Sequence, residues 1–240
     1  MNKLTARETL NSNKIKVLFF GERNCQYSIK AYSFLVDAGF DVTRVLSGKR
    51  KDRLSKKTKM WSGEYIFCFR SYIILSKQLI DRASIAAINF HPATPEYPGS
   101  GGVNWALYDE AKSYGATAHI MNEKIDNGPI IECRRFPITP QDTANSLLAR
   151  VHLEVFDLFV DIANGILNDG VEFLTKKIDQ SKHEHWRGKA RKISEIDTLQ
   201  SISPTCSKEE LERIIRATYT PRFQPFIELH GYKFLLKIED

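Results

Sequence analysis

Residues 85–107, IAAINFHPATPEYPGSGGVNWAL, contain the break that decides the fold. The apolar run 85–90 has strand length and is followed by prolines and glycines that cannot continue regular structure. Side chains alternate along a strand, so Asn89 and His91 project to the same side at its end.

Toward the N-terminus, residues 16–20 (KVLFF) read as a buried strand closed by Gly21, and Ile29, Tyr32, Leu35 and Val36 follow at helical spacing up to Gly39. Residues 40–46 (FDVTRVL) alternate as a second strand and 65–69 (YIFCF) as a third, which makes 85–90 the fourth. Strands separated by crossovers imply a parallel, doubly wound α/β sheet. Ligands of such sheets bind outside the carboxyl ends of the strands, so residues 69–72 and 89–91 lie on the functional edge.

Toward the C-terminus, residues 115–121 (GATAHIM) read as a strand, 122–128 as a loop, and 129–136 (PIIECRRF) as a strand entered from a Gly-Pro turn. Residues 143–164 form a long amphipathic helix that covers the sheet with Leu147, Leu148, Val151, Val155, Leu158, Phe159 and Ile162. Beyond residue 180 the chain turns charged and aromatic. Ser207 and Glu210 form a capping box for a short helix with Leu211, Ile214 and Ile215 inward, and His230-Gly231 joins 226–229 to 232–237 as a β-hairpin. The fold class is therefore α/β: a doubly wound, mostly parallel, Rossmann-like sheet with a small C-terminal helix and hairpin extension.

A chain of 240 residues, 42% of them hydrophobic, buries a full core and fits one domain with a small appendage. The formal charge of +6 and a pI near 9.0 favour anionic partners without separating nucleic acid from diphosphates or polyglutamate tails. Basic residues crowd 44–59 (Lys49, Arg50, Lys51, Arg53, Lys56, Lys57 and Lys59) and 187–192; each run reads as a solvated face. Cys25, Cys68, Cys133 and Cys206 are too scattered to pair and point to a reducing cytoplasm. The polar start and the short apolar run at 15–20 suit neither a signal peptide nor a membrane span. The expectation is a cytoplasmic protein without a membrane partner. His183 and His185 lack further ligands at metal-binding spacing, so no metal is expected.

An amide beside an imidazole suits acyl transfer: one supplies a neutral donor for a developing oxyanion, the other titrates near neutrality and handles an amine's proton. Asp126-Asn127-Gly128 is by itself a turn signal, and the glycine lets a carboxylate come close to a ligand.

Residues 88–131 resemble, nearly end to end, the signature region of the formyltransferase family, which includes methionyl-tRNA formyltransferase, glycinamide ribonucleotide transformylase and the sugar N-formyltransferases. The shared elements are Asn89 and His91; Pro95, Tyr97 and Gly99; Asn104, Trp105, Ala106 and Leu107; Gly115, Thr117 and Met121; and Asp126, Gly128, Ile130 and Ile131. Two departures stand out: Pro92-Ala93-Thr94-Pro95 is shorter than the family's usual loop, and Tyr97 is spaced one residue closer than in some members.

The resemblance implies that N10-formyltetrahydrofolate is the donor and that no metal takes part. It implies catalysis by Asn89, His91 and Asp126, with Asp126 paired to His91, and donor binding by Phe69, Arg70, Ser71, Tyr72, Ile125 and Asp126. Residues 1–179 become the catalytic domain and 180–240 a C-terminal extension. The stretch 213–228, with Arg216, Tyr219, Arg222, Phe223 and Phe226, looks like a segment of the sugar N-formyltransferases. An aromatic face beside arginines can stack a base and neutralise a diphosphate. The expected acceptor is thus a dTDP-linked 4-amino-4,6-dideoxyglucose destined for bacterial O-antigen, read by Trp105, Arg187, Tyr219, Arg222 and Phe223, with no nucleic acid partner. A homodimer through the hairpin edge is expected. The alternatives are methionyl-tRNA, glycinamide ribonucleotide, and an inactive folate- or nucleotide-binding relative.

Overall fold

The computed structural model describes residues 14–49 and 52–238. Arg50 and Lys51 of the basic run, and the polar stretch 1–13, lie outside the described residues.

The sequence folds as β1 (Lys16–Glu22), α1 (Gln26–Asp37), β2 (Asp41–Ser47), α2 (Lys56–Lys59), β3 (Gly63–Phe69), α3 (Lys77–Ile80), β4 (Ala83–His91), α4 (Gly102–Tyr108), β5 (Ser113–Ile120), β6 (Ile130–Pro137), α5 (Ala144–Gln180), α6 (Glu195–Leu199), α7 (Lys208–Thr218), β7 (Phe226–Leu229) and β8 (Tyr232–Leu235). The main sheet has the order β2-β1-β3-β4-β5-β6, and β7-β8 form a separate hairpin. Strands β1 to β4 run parallel. β5 and β6 run antiparallel, because residues 121–129 between them are too few for a crossover. The sheet is mostly, not wholly, parallel.

Strand alternation separates two cores. Val17, Phe19, Tyr65, Phe67, Phe69, Ile88 and Phe90 face α1, α4 and α5, whereas Leu18, Phe20, Ile66, Cys68 and Ala87 face the short segments carrying Leu75 and Leu79. The crossovers on this second face contain only the single turns α2 and α3, so the winding is lopsided. Phe159 of α5 is fully buried and its ring meets Phe19, Phe34, Phe67, Phe69 and Phe90, the last at 4.8 Å.

Helix α5 runs well past residue 164, the end expected from the sequence, to Gln180. Gly165 stays helical, and the Phe173 ring lies only 2.3 Å from where a Cβ would sit, so the position needs glycine. The break comes at Gly170, with φ 59° and ψ −132°. Leu148, expected against the sheet, is instead 39% exposed.

The extension past residue 179 shares the main core through Ile196, Leu199 and Ala217. Helix α7 starts under Ser207, whose hydroxyl accepts from Glu210 N at 3.2 Å. It docks on α4: Asn104 Nδ2 donates to Ala217 O at 2.6 Å, and Tyr108 donates to Glu210 Oε1 at 2.7 Å. The hairpin leaves Leu229, Tyr232, Phe234 and Leu235 exposed. Among the described residues, no helix is long and apolar enough to cross a membrane.

Candidate active site

β4 delivers Asn89 and His91 to one face at its carboxyl end, while the alternating Ile88 and Phe90 enter the core. The antiparallel register places His119 of β5 opposite Asn89 and Thr117 opposite His91. Opposed residues share a face, so His119 joins the pair. Asn89 Nδ2 lies 3.1 Å from His119 Nε2.

Asp126 arrives from the β5–β6 loop with φ 43°, a left-handed conformation that aspartate tolerates better than most residues. Its Oδ1 accepts from Asn89 Nδ2 at 3.2 Å and lies 3.3 Å from His119 Nε2. Its Oδ2 accepts from Gly99 N at 2.7 Å and lies 3.5 Å from His91 Nδ1. His91 Nε2 donates to the Tyr97 carbonyl at 3.1 Å. One carboxylate thus gathers β4, β5 and the loop that follows β4.

Asp126, His91 and His119 are 7%, 6% and 2% exposed. Burial works against ionisation of Asp126, but His91, His119 and the Gly99 N–H outweigh it and hold the carboxyl well below the usual carboxylate range. A charged acceptor therefore sits beside His91, at whose Nδ1 it can steady a proton.

The segment after α5 fastens the loop from above. Arg187 N donates to Pro95 O at 2.9 Å, Arg191 N to Pro98 O at 3.0 Å, and Ser100 N to Arg191 O at 2.9 Å. Gly99 has φ 90°, and a Cβ there would lie 2.4 Å from the backbone N and O of Arg191, so this approach needs glycine. Trp186 donates to Gly128 O at 2.8 Å and sets its indole 4.9 Å from the His119 ring and 5.9 Å from that of His91. His91, His119 and Asp126 line the adjoining cavity and Trp186 does not, so the indole closes the cluster from behind.

That cavity, of ≈ 650 Å³, is lined by Arg70, Ser71, Tyr72 and Ile125 among the residues expected at the donor, and by Arg222 and Phe223 among those expected at the acceptor. Phe69 ends β3 beside it, but the side chain is wholly buried against Phe90 and Phe159. Arg70 is neutralised by Glu22 at 3.0 Å and hydrogen-bonds His152, while Tyr72 donates to Glu22 Oε1 at 3.1 Å. Burial and the Arg70 charge push the His152 ring down to about 3, which keeps it neutral.

Trp105, Arg187 and Tyr219 stand outside the cavity wall. Trp105 lies beneath Arg191, whose guanidinium is 4.0 Å from the ring centroid. The Arg187 side chain is 73% exposed and near Glu96, because it is the backbone of this residue that grips the loop. Tyr219 is half-buried directly after α7.

Sequence reasoning missed His119, Trp186 and Arg191. The Thr117-x-His119 alternation was visible, but aligning His119 with Asn89 needs the antiparallel register. Nothing local marked Trp186, and Arg191 sat in the basic run 187–192 that reads as a solvated face.

Fold and site together define an α/β protein with Asn89, His91 and Asp126 gathered at the carboxyl end of β4. The formyl transferase family model matches residues 3–162, and the chain belongs to that family. It is 26% identical to the methionyl-tRNA formyltransferase of Clostridium novyi over 75% of this chain and 56% of that protein, so it spans little more than half of that relative. The corresponding enzyme of Agathobacter rectalis is 22% identical over 92% of this chain and 78% of that one. Among solved structures, a 4-N formyltransferase from Francisella tularensis shares the fold with a TM-score of 0.72 at 17% identity, covering 94% of this chain and 97% of that one. So does the N-formyltransferase of Helicobacter canadensis in complex with folinic acid and dTDP-3-aminofucose, at a TM-score of 0.68 and 17% identity over 91% and 86% of the two chains.

Proposed function

We propose that this protein transfers the formyl group of N10-formyltetrahydrofolate to the primary amine of a nucleotide-linked amino sugar, in the first instance dTDP-4-amino-4,6-dideoxyglucose for bacterial surface polysaccharide. The observation that carries the reading is the buried Asp126 carboxylate in contact with both His91 and Asn89 at the floor of a cavity.

The cavity suits the donor: Ile73, Ile74, Leu75, Met121 and Ile125 offer an apolar slot for a flat bicyclic ring beside Asn89 and His91. The donor supplies the activated one-carbon group when bound; the chain's own residues do the rest. Asn89 presents an N–H donor to the formyl oxygen as it becomes anionic while the neutral amine attacks, and His91 Nε2–H joins it only by leaving the Tyr97 carbonyl. Asp126 steadies the proton that the amine gives up at His91 Nδ1, and this proton passes to the departing folate nitrogen. Both Asn89 donors are engaged by Asp126 and His119 in the structure, so one must exchange during turnover. A proton on His119 Nε2 would make that exchange, turning the nitrogen from an acceptor into a donor toward Asp126.

The acceptor reading draws support from the C-terminal hairpin, from Arg222 stacked 5.0 Å over Phe223 in the cavity wall, and from the dTDP-sugar named with the Helicobacter canadensis structure. A second copy of the chain, pairing through the exposed apolar side of the hairpin, completes the reading as a homodimer.

The deciding experiment measures folate release from N10-formyltetrahydrofolate with dTDP-4-amino-4,6-dideoxyglucose, its 3-amino isomer, glycinamide ribonucleotide and charged initiator tRNA in parallel. Turnover with an amino sugar that His91→Ala abolishes supports the proposal; turnover with the ribonucleotide or tRNA alone, or with none, rejects it.

A further inference from the structure

We propose that Arg191, held flat on Trp105, binds a phosphate oxyanion of the amine-bearing substrate. The inference rests on the nucleotide-linked acceptor proposed above and adds a residue that neither the motif nor the aromatic tail singled out.

Arg191 lines the cavity. Its backbone is pinned to Pro98 and Ser100, one residue to either side of the Gly99 N–H that holds Asp126. Its guanidinium stacks 4.0 Å over Trp105, while Nη1 is shut off from solvent with no hydrogen-bond partner. Among the described residues no carboxylate lies within ion-pair distance of it. A buried, unpaired donor on a permanently charged group is costly and calls for a partner that arrives from outside.

The rest of the wall narrows the partner to an anion. Arg70 faces the same cavity but is already neutralised by Glu22. Arg191, Lys192 and Arg222 add positive charge to the lining, while Asp126 is occupied by the histidines and Glu123 is exposed. A planar guanidinium fixed by stacking presents its remaining donors in the fork that matches a phosphate. Trp105 then acts as the platform that orients Arg191 and does not touch the substrate, which accounts for its place outside the wall.

A carboxylate on the donor's glutamate tail shares this oxyanion chemistry, and the test separates the two sources. Binding of dTDP, UDP and inorganic pyrophosphate is measured by calorimetry for the wild type, Arg191→Lys and Arg191→Ala, alongside KM for N10-formyltetrahydrofolate. The expected result is loss of nucleotide and pyrophosphate affinity by about tenfold or more in Arg191→Ala, an intermediate loss in Arg191→Lys, and an unchanged donor KM. Arg191→Lys keeps the charge and guards against misfolding as the cause. Wild-type affinities in Arg191→Ala, a loss confined to the donor, or a wild type that binds none of the probes would overturn the assignment. Should no amino sugar be formylated while pyrophosphate binding still depends on Arg191, the acceptor reading fails and the oxyanion site stands.

Discussion

Asn89 and His119 face each other across β4 and β5 with Nδ2 and Nε2 3.1 Å apart, and His119 Nδ1 donates to the Ile120 carbonyl at 3.0 Å. That second bond leaves Nε2 as the nitrogen that accepts from the amide. The remaining Asn89 N–H goes to Asp126 Oδ1, so the amide is oriented from both sides.

Removing His119 should therefore misplace Asn89. His119→Ala is expected to lower kcat by about 10²-fold, the scale of a misplaced catalytic group, with both KM values nearly unchanged. His119→Gln, which retains an acceptor, should recover part of the loss. Steady-state kinetics on the two variants check this, and an unaltered kcat in His119→Ala would remove His119 from the site.

Asp126→Asn keeps the shape of the carboxyl but cannot balance a charged His91. A fall in kcat of about 10²–10⁴-fold is expected. Stability should also respond to pH. The folded carboxyl is held below its unfolded value of 3.8, so its contribution is full above that pH and is lost as pH falls further. Thermal melts between neutral pH and pH 3 should show the wild type losing more of its advantage over Asp126→Asn at the acid end; parallel losses in the two proteins would contradict the buried ion-pair picture.

Trp186 ties Gly128 to the segment after α5 and closes the back of the histidine pair. Trp186→Phe keeps an aromatic body and loses the N–H bond, whereas Trp186→Ala loses both and lets water in. The expected order of kcat is wild type, then Phe, then Ala, the last lowered about tenfold or more, with KM values held. A Phe variant as poor as Ala would mean that the hydrogen bond alone matters.

The Phe159 ring fills the space between α1, α5 and the sheet with no exposed surface. Phe159→Ala should cost about 3–5 kcal/mol of folding stability. Chemical denaturation would measure it, and a loss under 1 kcal/mol would mean that the surrounding phenylalanines collapse into the gap.

The hairpin exposes Tyr232 at 72%, Phe234 at 58% and Leu235 at 62%. Phe234→Asp combined with Leu235→Asp should convert a dimer to a monomer in gel filtration with light scattering, because buried unpaired carboxylates oppose association. A wild type that already runs as a monomer would dismiss the hairpin interface.

Much of this was legible in the residue order. The strands β1 to β4 follow from short apolar runs, and the pairing of Asn89 with His91 on one face follows from a period of two. The helix α5 was legible only to residue 164, because Gly165 and Gly170 look alike in the sequence; the first is glycine to admit the Phe173 ring and stays helical, and the positive φ of the second marks the break. Leu148 carried the helical spacing of a core residue but lies half-exposed in the cavity wall.

Sequence by itself determined the α/β character, the edge of the sheet where the cluster sits and three residues of that cluster, because all of these follow from local periodicity and from one ordered motif. Tertiary structure decided that β5 runs antiparallel and so brings His119 to Asn89. It also decided that the segment following α5 returns over the site with Trp186 and Arg191. Both depend on pairings between residues far apart in the chain, which no local pattern encodes: a register is fixed by loop length and by the core it must cover, and a return path by what remains to be buried.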